Sequence, residues 1–231
     1  MAQLVARTAG GREAAGSSPV IPTKVEIMKL YLSSLGIPDE QAYRALLPGG
    51  TPKVAIIANG WDVYPYEKSA PYIQACAQAL HKLDCQTEFI DLAQYKMKVD
   101  IESKLKEFDV VYVTGGNVFY LKRLMVQSGF WGCVKNLVED GLVYSGESAG
   151  AVIAGQAFDG AEFVDDKEAA PEVDGEGLGL VDFGIVPHWG RDKYKDVQEK
   201  FRAELSKHGE VKTLADTQAI VVDGQSVKVI G

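Results

Sequence analysis

The sequence predicts an α/β fold, a single-domain three-layer sandwich with helices on both faces of a mostly parallel central sheet. Three observations point there. Short β-branched runs such as Lys53–Ala58 (KVAIIA), after its first residue, and Val110–Val113 (VVYV) are continuously apolar, as strands buried on both faces are. Longer stretches with apolar residues at helical spacing alternate with these runs, the order that makes parallel sheets covered by helices. Glycine turns follow two of the strands, at Gly115-Gly116 and Gly146 to Gly150, and each opens into a helical pattern.

The elements follow in order. Lys29–Leu32 is a first apolar, strand-like stretch, and Lys53–Ala58 is a buried strand. Ser69–Leu83 sets Ile73, Cys76, Ala77 and Leu80 at helical spacing, Thr87–Leu92 is another strand, and Ile101–Phe108 is a short helix. The strand Val110–Val113 passes through Thr114-Gly115-Gly116-Asn117 into a helix reaching Val126. Phe130–Glu139 reads as a helix, Leu142–Ser145 as a strand, and Ser148–Gly155 as the opening of a helix of small residues. Phe158–Gly179 has many acids and glycines and no sustained period, so a long surface excursion is expected there. Gly184–Val186 is a further strand that ends in Pro187-His188, and Lys193–His208 is an amphipathic helix. Ala219–Val222 and Val227–Ile230 flank Asp223-Gly224, a hairpin signal.

The chain has 231 residues, an ordinary size for one α/β domain, and residues 28–231 are expected to form it. Residues 1–27 are rich in Ala, Gly, Ser and Arg, lack periodicity, and precede a second methionine, Met28. They are expected to be a disordered or non-native extension. The competing reading, a mitochondrial-type targeting segment, draws on Arg7 and Arg12, against which stand Glu13 and weak amphipathicity.

Composition excludes several classes. With 24 basic against 32 acidic residues the net charge is -8, and no basic stripe offers a nucleic-acid footprint. No apolar run approaches the roughly 20 residues that cross a bilayer, so no membrane partner and a cytoplasmic location are expected. Cys76, Cys85 and Cys133 have no metal or disulfide spacing, nor do His81, His188 and His208. No metal and no cofactor are expected. A homodimer is one assembly open to such a domain.

The chemistry concentrates on Gly146-Glu147-Ser148-Ala149-Gly150, which follows a strand and opens a helix. A sharp strand-to-helix turn of this type holds the central serine in a strained conformation above the sheet edge, and the first helical amide, Ala149, stays free to bind an oxyanion. Gly115-Gly116 ends the preceding parallel strand, so both turns face the same end of the sheet, where open α/β folds place their sites. Gly116 is the candidate second oxyanion donor. A serine needs a base, and His188 alone among the histidines directly follows a strand.

The sequence Gly115-Gly116-Asn117, Gly146-Glu147-Ser148-Ala149-Gly150-Ala151 and Pro187-His188, in that order, resembles the dipeptidase E and cyanophycinase family of serine peptidases over residues 28–231. The resemblance implies a class I glutamine amidotransferase-like (flavodoxin-like) fold with serine in the place of the nucleophilic cysteine. It implies Ser148 as nucleophile, His188 as base, and the amides of Gly116 and Ala149 as the oxyanion hole. For the acid that orients His188 it favours Asp216, with Asp166 or Asp165 as the alternative. Asn117 and Arg191 are candidates for substrate binding, and dipeptidase E itself implies a preference for an acidic N-terminal residue. The expected activity is hydrolysis of a small peptide through an acyl-enzyme. The rivals are a non-catalytic binding or regulatory module, and an amidase or acyl transferase using the same serine.

Overall fold

The structure, a computed structural model, describes residues 28–231; the expectation made for residues 1–27 falls outside them. In chain order the strands are β1 Lys29–Ser33, β2 Lys53–Ile57, β3 Gln86–Phe89, β4 Val110–Val113, β5 Val143–Glu147, β6 Gly184–Val186, β7 Val211–Thr213, β8 Ala219–Asp223 and β9 Ser226–Ile230. The helices are α1 Glu40–Leu46, α2 Tyr66–Lys82, α3 Lys98–Leu105, α4 Val118–Ser128, α5 Val134–Glu139, α6 Ala149–Val152 and α7 Lys195–Leu205.

Seven strands form one sheet in the order β3-β2-β4-β5-β1-β8-β9. The first five run parallel, and β8 and β9 add an antiparallel edge. The pleat divides the apolar runs between two cores. Ala55, Ile57, Val111 and Val113 join the cluster on the α4 to α7 face, while their neighbours Val54, Ile56, Val110 and Tyr112 pack with Tyr43, Cys76 and Leu80 of α1 and α2. Every side chain of β4 and β5 is buried, which accounts for the unbroken apolar run of β4, while β5 also buries Ser145 and Glu147.

Four expectations are amended. Gly184–Val186 does not join the main sheet; β6 pairs in parallel with β7, which has too few residues and too little apolar character to stand out in the sequence. The stretch 158–179 is not simply a surface excursion. Phe158, Ala161 and Ala170 are buried, and Lys122, itself buried, bonds Asp174 and the carbonyl of Glu176, tying the segment to α4. The hairpin turn is Gly224-Gln225, since Asp223 pairs with Ser226; Gly224 supplies the positive φ of 58°. Helix α1, with Asp39 capping Ala42 N–H at 2.8 Å, is present where no helix is expected.

Candidate active site

Strands β2, β4, β5 and β1 end on the same edge of the sheet because they are parallel, and each contributes the turn that follows it. At the end of β5 the backbone of Ser148 takes φ 50° and ψ -109°, outside the regions that non-glycine residues usually occupy. The flanking glycines are steric requirements. A Cβ at Gly146 would lie 2.2 Å from the Gly150 carbonyl oxygen, and one at Gly150 would lie 2.2 Å from the Val113 carbonyl oxygen of β4. The turn is further pinned by the Ser148 N–H donating to Ser33 O of β1 at 3.0 Å.

The turn after β4 meets the one after β2. Gly116 has φ 114°, and a Cβ there would sit 2.2 Å from the Gly60 carbonyl carbon. The Asn117 N–H donates to Gly60 O at 2.8 Å, which locks the two loops together. Gly115 lies against Ser148, and Gly116 and Ala149 both line the cavity above it. Ala149 opens α6, so its amide has no helical carbonyl to receive it.

His188 and Asp216 meet because β6 and β7 run side by side. Val186 is in register with Thr213, so the residues just beyond each strand emerge together. His188 Nε2 lies 3.0 Å from Ser148 Oγ, and His188 Nδ1 lies 2.7 Å from Asp216 Oδ1. An ionised carboxylate only accepts hydrogen bonds, which puts the ring proton on Nδ1 and leaves Nε2 free to accept from the serine. His188 itself has φ 59°, and its carbonyl receives Gln198 Nε2 of α7 at 2.6 Å.

Two further groups hold this array. Ser34, just beyond β1, accepts the His188 N–H at 2.7 Å and donates to Asp216 Oδ1 at 3.2 Å. The Arg191 guanidinium pairs with Asp216 Oδ2. Partial burial of Asp216 works against its charged form, but hydrogen bonds from His188 and Arg191, reinforced by the charge of both, outweigh it and hold the carboxyl below the usual aspartate range.

The remaining candidates take other positions. Asn117 is fully buried and does not line the cavity, contrary to the substrate-binding expectation; its Oδ1 caps α4 at Tyr120 N–H and its Nδ2 donates to Asp166 O at 2.7 Å. Neither Asp165 nor Asp166 bonds His188. Asp166 caps a short turn at Glu168 N–H, and Asp165 Oδ2 accepts the Val118 N–H at 2.9 Å. His81 bonds Thr87, and His208 pairs with Asp159. Sequence reasoning missed Ser34, Trp61 and Gln198. The position of Ser34 behind an apolar strand was the available signal, but strand order was needed to bring it beside His188.

Asp165 is held in a protein environment whose desolvation pushes its carboxyl up to about 6, against the pull of the Val118 N–H. A carboxyl whose folded value lies above its unfolded one favours the fold when protonated. Its contribution is therefore present below about pH 4 and is lost as pH rises through about 6. Asp165→Asn, which retains an acceptor for Val118, is expected to raise stability at pH 7.5 by on the order of 2 kcal/mol and to flatten this part of the pH–stability curve. Urea unfolding at pH 4 and 7.5 checks it, and an equal loss at both pH values would contradict the assignment.

A cavity of about 470 Å³ opens over Ser148 and His188. Among the described residues no three His, Cys, Asp or Glu side chains cluster as metal ligands would, and no helix is long and apolar enough to cross a membrane.

An α/β sheet whose parallel edge presents a strained serine, a histidine and an aspartate in hydrogen-bonded series places the molecule in the class of α/β hydrolytic enzymes. Residues 63–230 match the model of Peptidase family S51, and the chain belongs to that family of peptidases. It is 31% identical over 157 residues, 68% of this chain and 76% of the other, to an uncharacterized peptidase of Listeria monocytogenes. It is 30% identical over 142 residues, 58% of each chain, to a "Probable alpha-aspartyl dipeptidase" of Drosophila melanogaster. Among solved structures, one described as "a Putative Peptidase E Protein from Listeria monocytogenes EGD-e" superimposes with a TM-score of 0.77 at 26% identity, covering 88% of this chain and 98% of that one.

Proposed function

We propose that the chain is a serine-type peptidase that hydrolyses small peptides through an acyl-enzyme. The observation that carries the reading is the continuous series from Ser148 Oγ to His188 Nε2 at 3.0 Å and from His188 Nδ1 to Asp216 Oδ1 at 2.7 Å. Ser148 Oγ attacks the scissile carbonyl carbon as its proton passes to Nε2. The carbonyl oxygen becomes an oxyanion held by the amides of Gly116 and Ala149. Collapse breaks the C–N bond, and the leaving amine takes the proton from Nε2. Water then enters by the same route in reverse and releases the acid and the free serine. Asp216 keeps the Nδ1 proton in place and stabilises the imidazolium, and Ser34 and Arg191 position Asp216.

Amide hydrolysis by this route needs no cofactor. The three cysteines are free and buried, which supports a reducing, cytoplasmic location as part of the proposal. A fluorophosphonate probe is expected to form one adduct on Ser148, located by peptide mass spectrometry. Labelling elsewhere, or none under conditions where a dipeptide panel is cleaved, rejects a serine mechanism and returns the site to a different peptidase chemistry.

A further inference from the structure

The charge around the cavity is not arranged for an acidic side chain. Among the described residues lining it, the ionised or ionisable acids and bases are Glu147, Asp165, His188 and Arg191. Arg191, the one permanent cation, is committed to Asp216. Glu147 receives the Tyr112 hydroxyl at 3.1 Å and the Gly36 amide. Asp165 is different. Its Oδ2 accepts from Val118, and its Oδ1 has no hydrogen-bond partner among the described residues. At neutral pH the cavity thus offers one carboxylate oxygen with nothing to neutralise it.

Two buried atoms at the same cavity are also unmatched. Gln198 is 3% exposed, and because its Nε2 is spent on the carbonyls of Pro187 and His188, its Oε1 is left without a partner. Trp61 Nε1 is likewise buried and unpartnered. Buried polar atoms are almost always satisfied, and exceptions in a cavity wall point to a ligand that completes them. The acceptors, Asp165 Oδ1 and Gln198 Oε1, call for a donor-rich cation, and the indole N–H calls for a carbonyl or carboxylate oxygen. A short peptide carries both.

The distance fits. Asp165 is fastened to Val118, two residues beyond Gly116, and two Cα steps span at most about 7.6 Å. The α-nitrogen of an N-terminal residue is separated from its own carbonyl carbon by a single Cα, a spacing short enough for a carbonyl at the Gly116 loop and an ammonium at Asp165 to belong to one residue. The remaining wall is apolar: Trp61 stacks on Tyr72 with centroids 4.9 Å apart, Tyr64 tilts against it at 5.5 Å, and Val152, Val164 and Phe201 line the cavity beyond.

Building on the serine-peptidase reading, we infer that the site takes short peptides by their free N-terminal ammonium, held by Asp165 and Gln198 Oε1. The first side chain is uncharged, aliphatic or aromatic, and lies on the Trp61 wall. An N-terminal aspartate is disfavoured, because its carboxylate meets Asp165, and Arg191, the one permanent cation among the described residues lining the cavity, is already paired with Asp216. This departs from the acidic preference that the resemblance to dipeptidase E implies.

The test is a matched panel of dipeptides with Phe, Leu, Asp or acetyl-Phe first and a common second residue, measured as kcat/KM on the wild-type chain and Asp165→Asn. Wild type is expected to favour Phe and Leu over Asp, and free over acetylated Phe, by about tenfold or more, the size of one charge-assisted hydrogen bond. In Asp165→Asn the free-to-acetylated ratio is expected to fall about tenfold or more. An aspartyl preference in wild type overturns the inference, as does an unchanged ratio in the folded variant. The wild-type panel decides the matter if the variant does not fold. Fluorophosphonate labelling separates the two levels: labelled Ser148 with an aspartyl preference sinks only the specificity, whereas unlabelled Ser148 in an active enzyme sinks the mechanism beneath it.

Discussion

Replacing Ser148 by alanine is expected to lower kcat/KM for a cleaved dipeptide by about 10⁴- to 10⁶-fold while leaving the unfolding transition within about 1 kcal/mol of wild type. The size follows from what is removed. Without the hydroxyl no acyl-enzyme forms, and only the cavity's binding and the oxyanion amides remain to assist a water molecule. The small effect on stability follows from the contacts. Among the described residues the Ser148 hydroxyl bonds His188, at 3.0 Å, and the turn is held by backbone bonds and by glycine contacts that alanine does not disturb. Steady-state kinetics and urea denaturation of one preparation settle it. Activity within tenfold of wild type would remove Ser148 from the chemistry.

Asp216→Asn is expected to be the next largest loss, about 10³- to 10⁴-fold in kcat with KM changed far less. An asparagine oxygen could still accept from His188 Nδ1, but its amide end could equally donate to the ring, which moves the ring proton to Nε2 and leaves Ser148 without a base. The charge is lost as well, so the imidazolium is less stabilised and Arg191 is left unpaired beside the cavity. The wild-type carboxyl lies below the usual aspartate range, so its support for the fold is complete above the unfolded value, near 3.9, and is lost as pH falls through the lower folded one. A kcat within threefold of wild type would show that Asp216 does not orient the base.

The parallel sheet was legible because burial on both faces removes polar alternation. Val110–Val113 and Lys53–Ala58 could be placed to within a residue for that reason. The serine turn was legible because its glycines stand in one short run between a strand and a helix; Gly146 answers a steric demand within the turn, from the Gly150 carbonyl, and Gly150 one from Val113 of the neighbouring strand. Strand β7 was not legible: Val211-Lys212-Thr213 is three half-buried residues, and its pairing with β6 is a long-range choice with no local signature. Asn117 was a candidate for substrate binding, and its position between a strand and a helix suits a helix cap, which is what its buried side chain does.

The sequence by itself determined the α/β layering, the place of the serine turn and the position of His188 at a strand end, since each is read from residues that are neighbours along the chain. Only the tertiary structure decided which acid stands behind His188, that Ser34 joins it, and that Arg191 is committed to Asp216 rather than open to substrate. Those are pairings between residues 25 to 182 positions apart. Distances of that kind are fixed by strand order and register, which side-chain periodicity along a single chain does not encode.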